Sequence, residues 1–163
     1  MSAKKVGIVM GSKSDLPTME RAGKVLDQLG IEYEMRILSA HRTPKQAMAW
    51  AESAQDRNVG VLICGAGMAA HLGGVVAAHT LLPVIGVPMN ASLGGMDALL
   101  ATVQMPPGVP VGTVGIGSAG ARNAAWLAAR ILSLSDDQLR SRLQQAISEM
   151  TEKVLQDDAS IQS

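Results

Sequence analysis

Five short apolar runs, at residues 6–10, 31–38, 61–64, 84–88 and 111–116, recur along the chain with a helical segment after each. Runs this short and this uniformly apolar read as strands buried on both faces, which is the state of strands in a parallel sheet covered by helices. The second run differs. It carries Glu32, Glu34 and Arg36 in alternation, as expected near a sheet edge. Strands alternating with helices define the α/β class. If the strands lie in the order 2-1-3-4-5, the switch point falls between strands 1 and 3, and the loops after strands 1, 2 and 3 converge there.

Between the runs, apolar residues fall at helical spacing. Met19, Ala22, Leu26 and Leu29 mark the buried stripe of a first helix, with Ser14 or Asp15 as its N-cap. Ala47, Met48, Ala51 and Ala54 mark a second helix that ends near Asn58. Residues 96–103 form a short helix, and the prolines of 104–110 exclude helix there. Residues 117–120 turn into an apolar helix over 123–132. A last helix starts at Asp136 and aligns Leu139, Leu143, Ile147, Met150 and Val154, and the polar end 156–163 is expected to fray. At 163 residues the whole chain, 1–163, fits one domain.

Three loops carry chemistry. Gly11-Ser12-Lys13-Ser14-Asp15 leads from a strand into a helix, where free N–H groups and the positive dipole end suit an anion. The Walker A spacing is missing, so ATP does not follow. Ser39-Ala40-His41-Arg42-Thr43-Pro44 sets a side chain that titrates near neutrality beside a permanent charge shaped to fork onto a phosphate or carboxylate. Pro44 suits the first turn of the helix behind it. The third loop, Gly65-Ala66-Gly67 onward, superficially matches the dinucleotide fingerprint. The acidic ribose ligand that motif needs about 20 residues on is absent, so what remains is a glycine-rich loop that lets a ligand approach the backbone. Convergence would gather Ser12, Asp15, His41, Arg42, Gly67 and His71 in one pocket. His79 reads as a helix-end residue, and the three histidines lack the short spacings of a zinc site.

Composition narrows the class further. Formal net charge is zero and no Lys/Arg run reaches five, which removes the footprint of a nucleic-acid binder or a polybasic membrane anchor. The apolar stretch after the basic start is too short for a signal-peptide core or a membrane span, so a cytoplasmic protein is expected. Cys64 is the only cysteine and reads as a buried, inert thiol. With no Phe, one Tyr and two Trp, the core must be built from small aliphatic side chains. These bury less area each, at about 25 cal/mol per Å², and burial between subunits would make up the difference. The segment 124–129, apolar on nearly every face, is expected to be buried all round.

Taken together, residues 10–15, 39–44, 65–67, 69–72, 86–88 and 103–106 resemble the class I N5-carboxyaminoimidazole ribonucleotide mutases, the carboxylase family of de novo purine biosynthesis, over nearly all of the chain. The resemblance implies a flavodoxin-like three-layer α/β/α sandwich, a homo-octamer with active sites at subunit junctions, and transfer of a carboxylate from N5 to C4 of an aminoimidazole ribotide without a cofactor. It implies that Ser12, Ser14 and Arg42 meet the phosphate and Asp15 the ribose hydroxyls. His41 would be the general acid and base, His71 and the Gly67 backbone would line the base, and Ser39, Ala40 and Leu72 would also contact substrate. The related direct carboxylases tend to carry Lys where this chain has Arg42, which favours the mutase. A nucleotide-sensing module of the same fold would have no use for His41. Met68 stands where the family usually has Gly, Gly73 where it usually has Pro, and the Asn90 to Gly95 loop looks short.

Overall fold

The computed structural model describes residues 3–162. Five parallel strands, β1 (Lys5–Met10), β2 (Tyr33–Ile37), β3 (Val59–Ala66), β4 (Val84–Pro88) and β5 (Gly112–Thr113), lie in the order β2-β1-β3-β4-β5. The helices are α1 (Leu16–Gln28), α2 (Pro44–Glu52), α3 (Leu72–Ala77), α4 (Met96–Val103), α5 (Gly117–Leu132) and α6 (Asp137–Ser160). Among the described residues no helix is long and apolar enough to cross a membrane.

The period of two along the strands divides the core. Val6, Ile8 and Met10 of β1, with Val61, Ile63, Ile85 and Val87, face α1, α5 and α6. Val9, Leu62, Cys64 and Val84 face α2 and α3, and Gly86 on the same side meets Thr102 of α4. The sheet is therefore the middle of three layers. Helix α5 presents Gly120, Ala121, Ala124, Ala125, Ala128 and Ala129 to the core. That small-residue face allows close approach: a Cβ at Gly120 would overlap the Gly115 carbonyl.

Several elements depart from their sequence signals, each for a local reason. Segment 13–15 is a 3-10 turn, so the capping hydroxyl sits one turn earlier: the Ser12 side chain accepts from Ser14 N, while Asp15 caps nothing. Helix α2 stops at Glu52, and Trp50 takes the core place expected for Met48, because its indole N–H finds Glu34 and the ring can then be buried. Strand β5 keeps only two residues, flanked by Pro110 and Gly115, which weaken a strand. Residues 117–120 are already helical, so α5 begins six residues before Asn123. Its outer side is open in the single chain, with Trp126 half-buried and Leu127 38% exposed, so 124–129 is not buried all round. Helix α6, capped by Asp136 Oδ1 accepting from Leu139 N, continues to Ser160 rather than fraying from residue 156, and Ser163 lies outside the described residues. Only Leu139 and Leu143 of its apolar stripe are buried.

Candidate active site

Strand order places the C-terminal ends of β2, β1 and β3 side by side, with the switch point between β1 and β3. The loops leaving them enclose a cavity of about 490 Å³ lined by Ser12, Ser14, Asp15, Ser39, Ala40, His41, Arg42, Gly67, His71 and Leu72. All the residues singled out in the sequence as site candidates thus face one space.

Each loop is held by its own short hydrogen bonds. After β1, Gly11 N donates to Gly65 O at 3.1 Å, tying the first loop to the third. The Ser14 hydroxyl donates to Ser12 Oγ at 2.9 Å, so two hydroxyls stand together beside the first free N–H groups of the helical turn. Asp15 follows. Burial raises its carboxyl above the usual carboxylate range, against the opposing pull of hydrogen bonds from the Ser14 hydroxyl and the backbone near Ser12 and of the Arg42 charge.

After β2, the loop closes on itself through Ser39 and Thr43. Ser39 N donates to Thr43 Oγ1 at 2.8 Å, and Thr43 N donates back to Ser39 O at 2.9 Å. The Ser39 hydroxyl oxygen accepts from the backbone N–H of His41 and of Arg42, at 3.3 and 3.1 Å. The backbone of two consecutive pocket residues is thereby fixed. Arg42 Nη2 donates to Gly11 O at 3.0 Å, bridging the second loop to the first. Across the cavity, Nε2 of His41 and Nδ1 of His71 share a hydrogen bond of 2.8 Å with the rings nearly perpendicular at 79°. One ring donates and the other accepts, so the contact holds the two rings against each other on the pocket wall.

The third loop makes two tight reversals, Ala70 N to Met68 O and His71 N to Ala69 O, at 2.9 and 2.8 Å. Met68 adopts φ +53°, the left-handed region where glycine is at ease, and its side chain is 60% exposed on the pocket wall. Gly73 lies inside α3 with only ordinary contacts at 3.5–3.9 Å around a notional Cβ, so no close approach demands glycine there. The loop 90–95 turns through Leu93, Gly94 and Gly95, all at positive φ, and lends Ala91 to the cavity.

The sequence signals left Ala91 and Thr43 without a role, although both lie in loops they had marked. The first comes from a fourth loop, and no side-chain chemistry marks an alanine as a wall. The second had a readable signal, a hydroxyl residue four positions after Ser39 and directly before the helix proline. His79 stands apart, its ring N–H donating to Val75 O at the end of α3. Cys64 is 2% exposed, and burial pushes its thiol far above the ordinary value, which leaves it unreactive.

Fold and site together define a doubly wound α/β protein with a histidine pair, an arginine and paired serine hydroxyls in one pocket at the switch point. Residues 5–153 match the family model of AIR carboxylase, and the chain belongs to that family. It is 53% identical over 152 residues to the N5-carboxyaminoimidazole ribonucleotide mutase of Vibrio parahaemolyticus, covering 93% of this chain and 94% of that protein. It is 52% identical over 152 residues to the mutase of the same name from Bacillus subtilis, covering 93% and 94%. The crystal structure of Treponema denticola PurE superposes with a TM-score of 0.88 at 31% identity, covering 98% of this chain and 99% of that one.

Proposed function

We infer that the chain moves a carboxylate from N5 to C4 of an aminoimidazole ribotide in purine biosynthesis, the N5-carboxyaminoimidazole ribonucleotide mutase reaction. The observation that carries this reading is the placement of His41 and Arg42, on one hydroxyl-braced loop, in a pocket shared with Ser12, Ser14 and Asp15. It is supported by relatives of that name at about half identity over nearly the whole chain.

In this reading Arg42 and the Ser12 and Ser14 hydroxyls hold the 5′-phosphate. Asp15 accepts from the ribose hydroxyls, and the Gly67 backbone and His71 lie along the imidazole, with Ser39, Ala40 and Leu72 completing the contacts. The N5–carboxylate bond breaks and CO2 leaves, and the nitrogen takes a proton. The nucleophilic ring carbon then adds CO2, and the proton it carried is removed to restore the aromatic ring. His41 serves both proton steps, because imidazole can give and take a proton near neutral pH, and such help is typically worth about 10²–10⁴-fold. No cofactor enters these steps.

The enzyme works as one mutase domain, in a cytoplasmic homo-octamer with small-molecule ribotide as substrate and neither nucleic acid nor membrane as partner. The apolar residues that the chain alone leaves exposed on α5 and α6, among them Leu127, Met150 and Val154, support burial between subunits. His41→Asn tests the core of the reading: it keeps ribotide binding and loses nearly all turnover, whereas turnover within tenfold of wild type would refute the proton role.

A further inference from the structure

The loop that carries His41 and Arg42 joins the edge strand β2 to α2, so its position depends on how those two elements sit relative to each other. Among the described residues, strand β2 has a neighbour on one side only. Helix α2 has nine residues and three buried side chains, Ala47, Trp50 and Ala51. Two of the three are alanines, so the hold of this short helix on the sheet depends on Trp50. One carboxylate locks that indole to β2.

Glu34 of β2 faces three donors from three parts of the chain. Its Oε1 accepts from Trp50 Nε1 of α2 at 2.8 Å. Arg57, five residues after α2, donates to the carboxylate from Nε at 3.0 and 3.3 Å and from Nη2 at 2.9 Å. Lys5 Nζ of β1 lies 2.9 Å from Oε2. Arg57 Nη2 also donates to the Trp50 carbonyl at 2.9 Å, Nη1 donates to Ser53 Oγ, and the guanidinium lies 5.6 Å from the centre of the Trp50 ring. The ring in turn covers Gly7 of β1, where a Cβ would come within 3.1 Å of it. Burial alone would raise the Glu34 carboxyl, yet the Arg57 and Lys5 hydrogen bonds hold it below the usual carboxylate range. With Lys5 and Arg57 each 2.9 Å from its oxygens, the Glu34 carboxylate is ion-paired on both sides, and at 21% side-chain exposure it is partly shielded from solvent.

We propose that Glu34 is a positioning residue for the substrate loop, fixing α2 against β2 and β1 so that Arg42 meets the phosphate and His41 the reacting ring. The lock sits at the ends of β2 and α2 away from the pocket. A slip of α2 reaches the loop through the four residues 40–43 that separate Ser39 from Pro44. Displacements of this kind reach beyond the contact itself, and an anchor moved off the phosphate registers first in KM. The proposal rests on the reading of Arg42 as the phosphate anchor.

The test is a double-mutant cycle of Glu34→Ala and Arg42→Ala, with KM and kcat measured at temperatures below the melting point of every variant. Glu34→Ala alone raises KM for the carbamate ribotide by roughly tenfold while kcat changes less. In the Arg42→Ala background the same substitution adds less than about twofold, because the anchor it positions is gone. Glu34→Gln, which keeps an acceptor for Trp50, recovers most of the loss. An unchanged KM in Glu34→Ala, or an equal factor in both backgrounds, overturns the proposal and leaves Glu34 a local brace that lowers melting temperature only. An unchanged KM in Arg42→Ala refutes the anchor instead. The His41 ring resonances then decide on Glu34, moving in Glu34→Ala if the loop is displaced and staying in place if it is not. Should Glu34→Ala fail to fold, Trp50→Phe removes one donor while keeping an aromatic ring there, and the same cycle applies with the same signs.

Discussion

Replacing Arg42 by Ala removes a guanidinium that the free protein already holds in position. One of its five N–H donors is spent on the Gly11 carbonyl at 3.0 Å, which ties the side chain to the first loop beside the pocket. Two consequences of different size follow. The bond to Gly11 is a single hydrogen bond at an exposed site, where solvent screening leaves it worth about 1 kcal/mol, and for a chain this long that lowers melting by roughly 2–4 °C. In the proposed reading the lost contact with the phosphate is charge-assisted and worth about 1.5–3 kcal/mol. At 1.36 kcal/mol per tenfold, affinity for the ribotide falls by roughly 10- to 150-fold. Arg42→Lys falls between, since an ammonium keeps the charge and loses the fork. Titration calorimetry with aminoimidazole ribotide separates these outcomes, and melting curves check that the fold survives. An Arg42→Ala protein that binds the ribotide as tightly as wild type would show that the phosphate lies elsewhere.

Asp15 offers a second handle. Its carboxyl is raised by burial, so the folded state binds a proton more readily than the unfolded one. Keeping it ionised costs stability at pH values above its folded pKa, and the cost is relieved as pH falls through that value. Asp15→Asn therefore melts higher than wild type at pH 7, with the gap closing in acid, and binds ribotide more weakly; equal melting curves at pH 7 would contradict this. Light scattering at micromolar concentration gives eight times the 16.9 kDa chain mass, and a monomer mass would refute the octamer.

The layering of the fold was legible because its signals are local and redundant. Strands such as 61–64 are apolar throughout, and the turns after them carry glycine. The gathering of His41 with His71 was legible only through topology, since thirty residues separate them and nothing local says that their rings meet. Where the sequence misled, a tertiary partner decided. Trp50 displaced Met48 from the buried stripe because Glu34, sixteen residues away, accepts its N–H. Ser12 took the cap from Ser14 and Asp15 because a 3-10 turn precedes α1, and periodicity does not distinguish that turn from an α-helical one. The end of α6 kept its helix beyond Gln156, since an N-cap and Leu139 and Leu143 anchored on the core give the polar turns a helix to extend. Met68 shows the limit from the other side: a departure from the family pattern was visible, whereas its left-handed backbone was not.

The central claim is that one pocket releases CO2 and recaptures it with His41 moving the protons. A single turnover of ribotide carrying a ¹³C-labelled carbamate, run in unlabelled bicarbonate, tests it most directly. Retention of nearly all the label at C4 of the product is the expected result. Full equilibration of the carboxylate with the medium during that turnover would contradict the trapped intermediate and favour direct carboxylation.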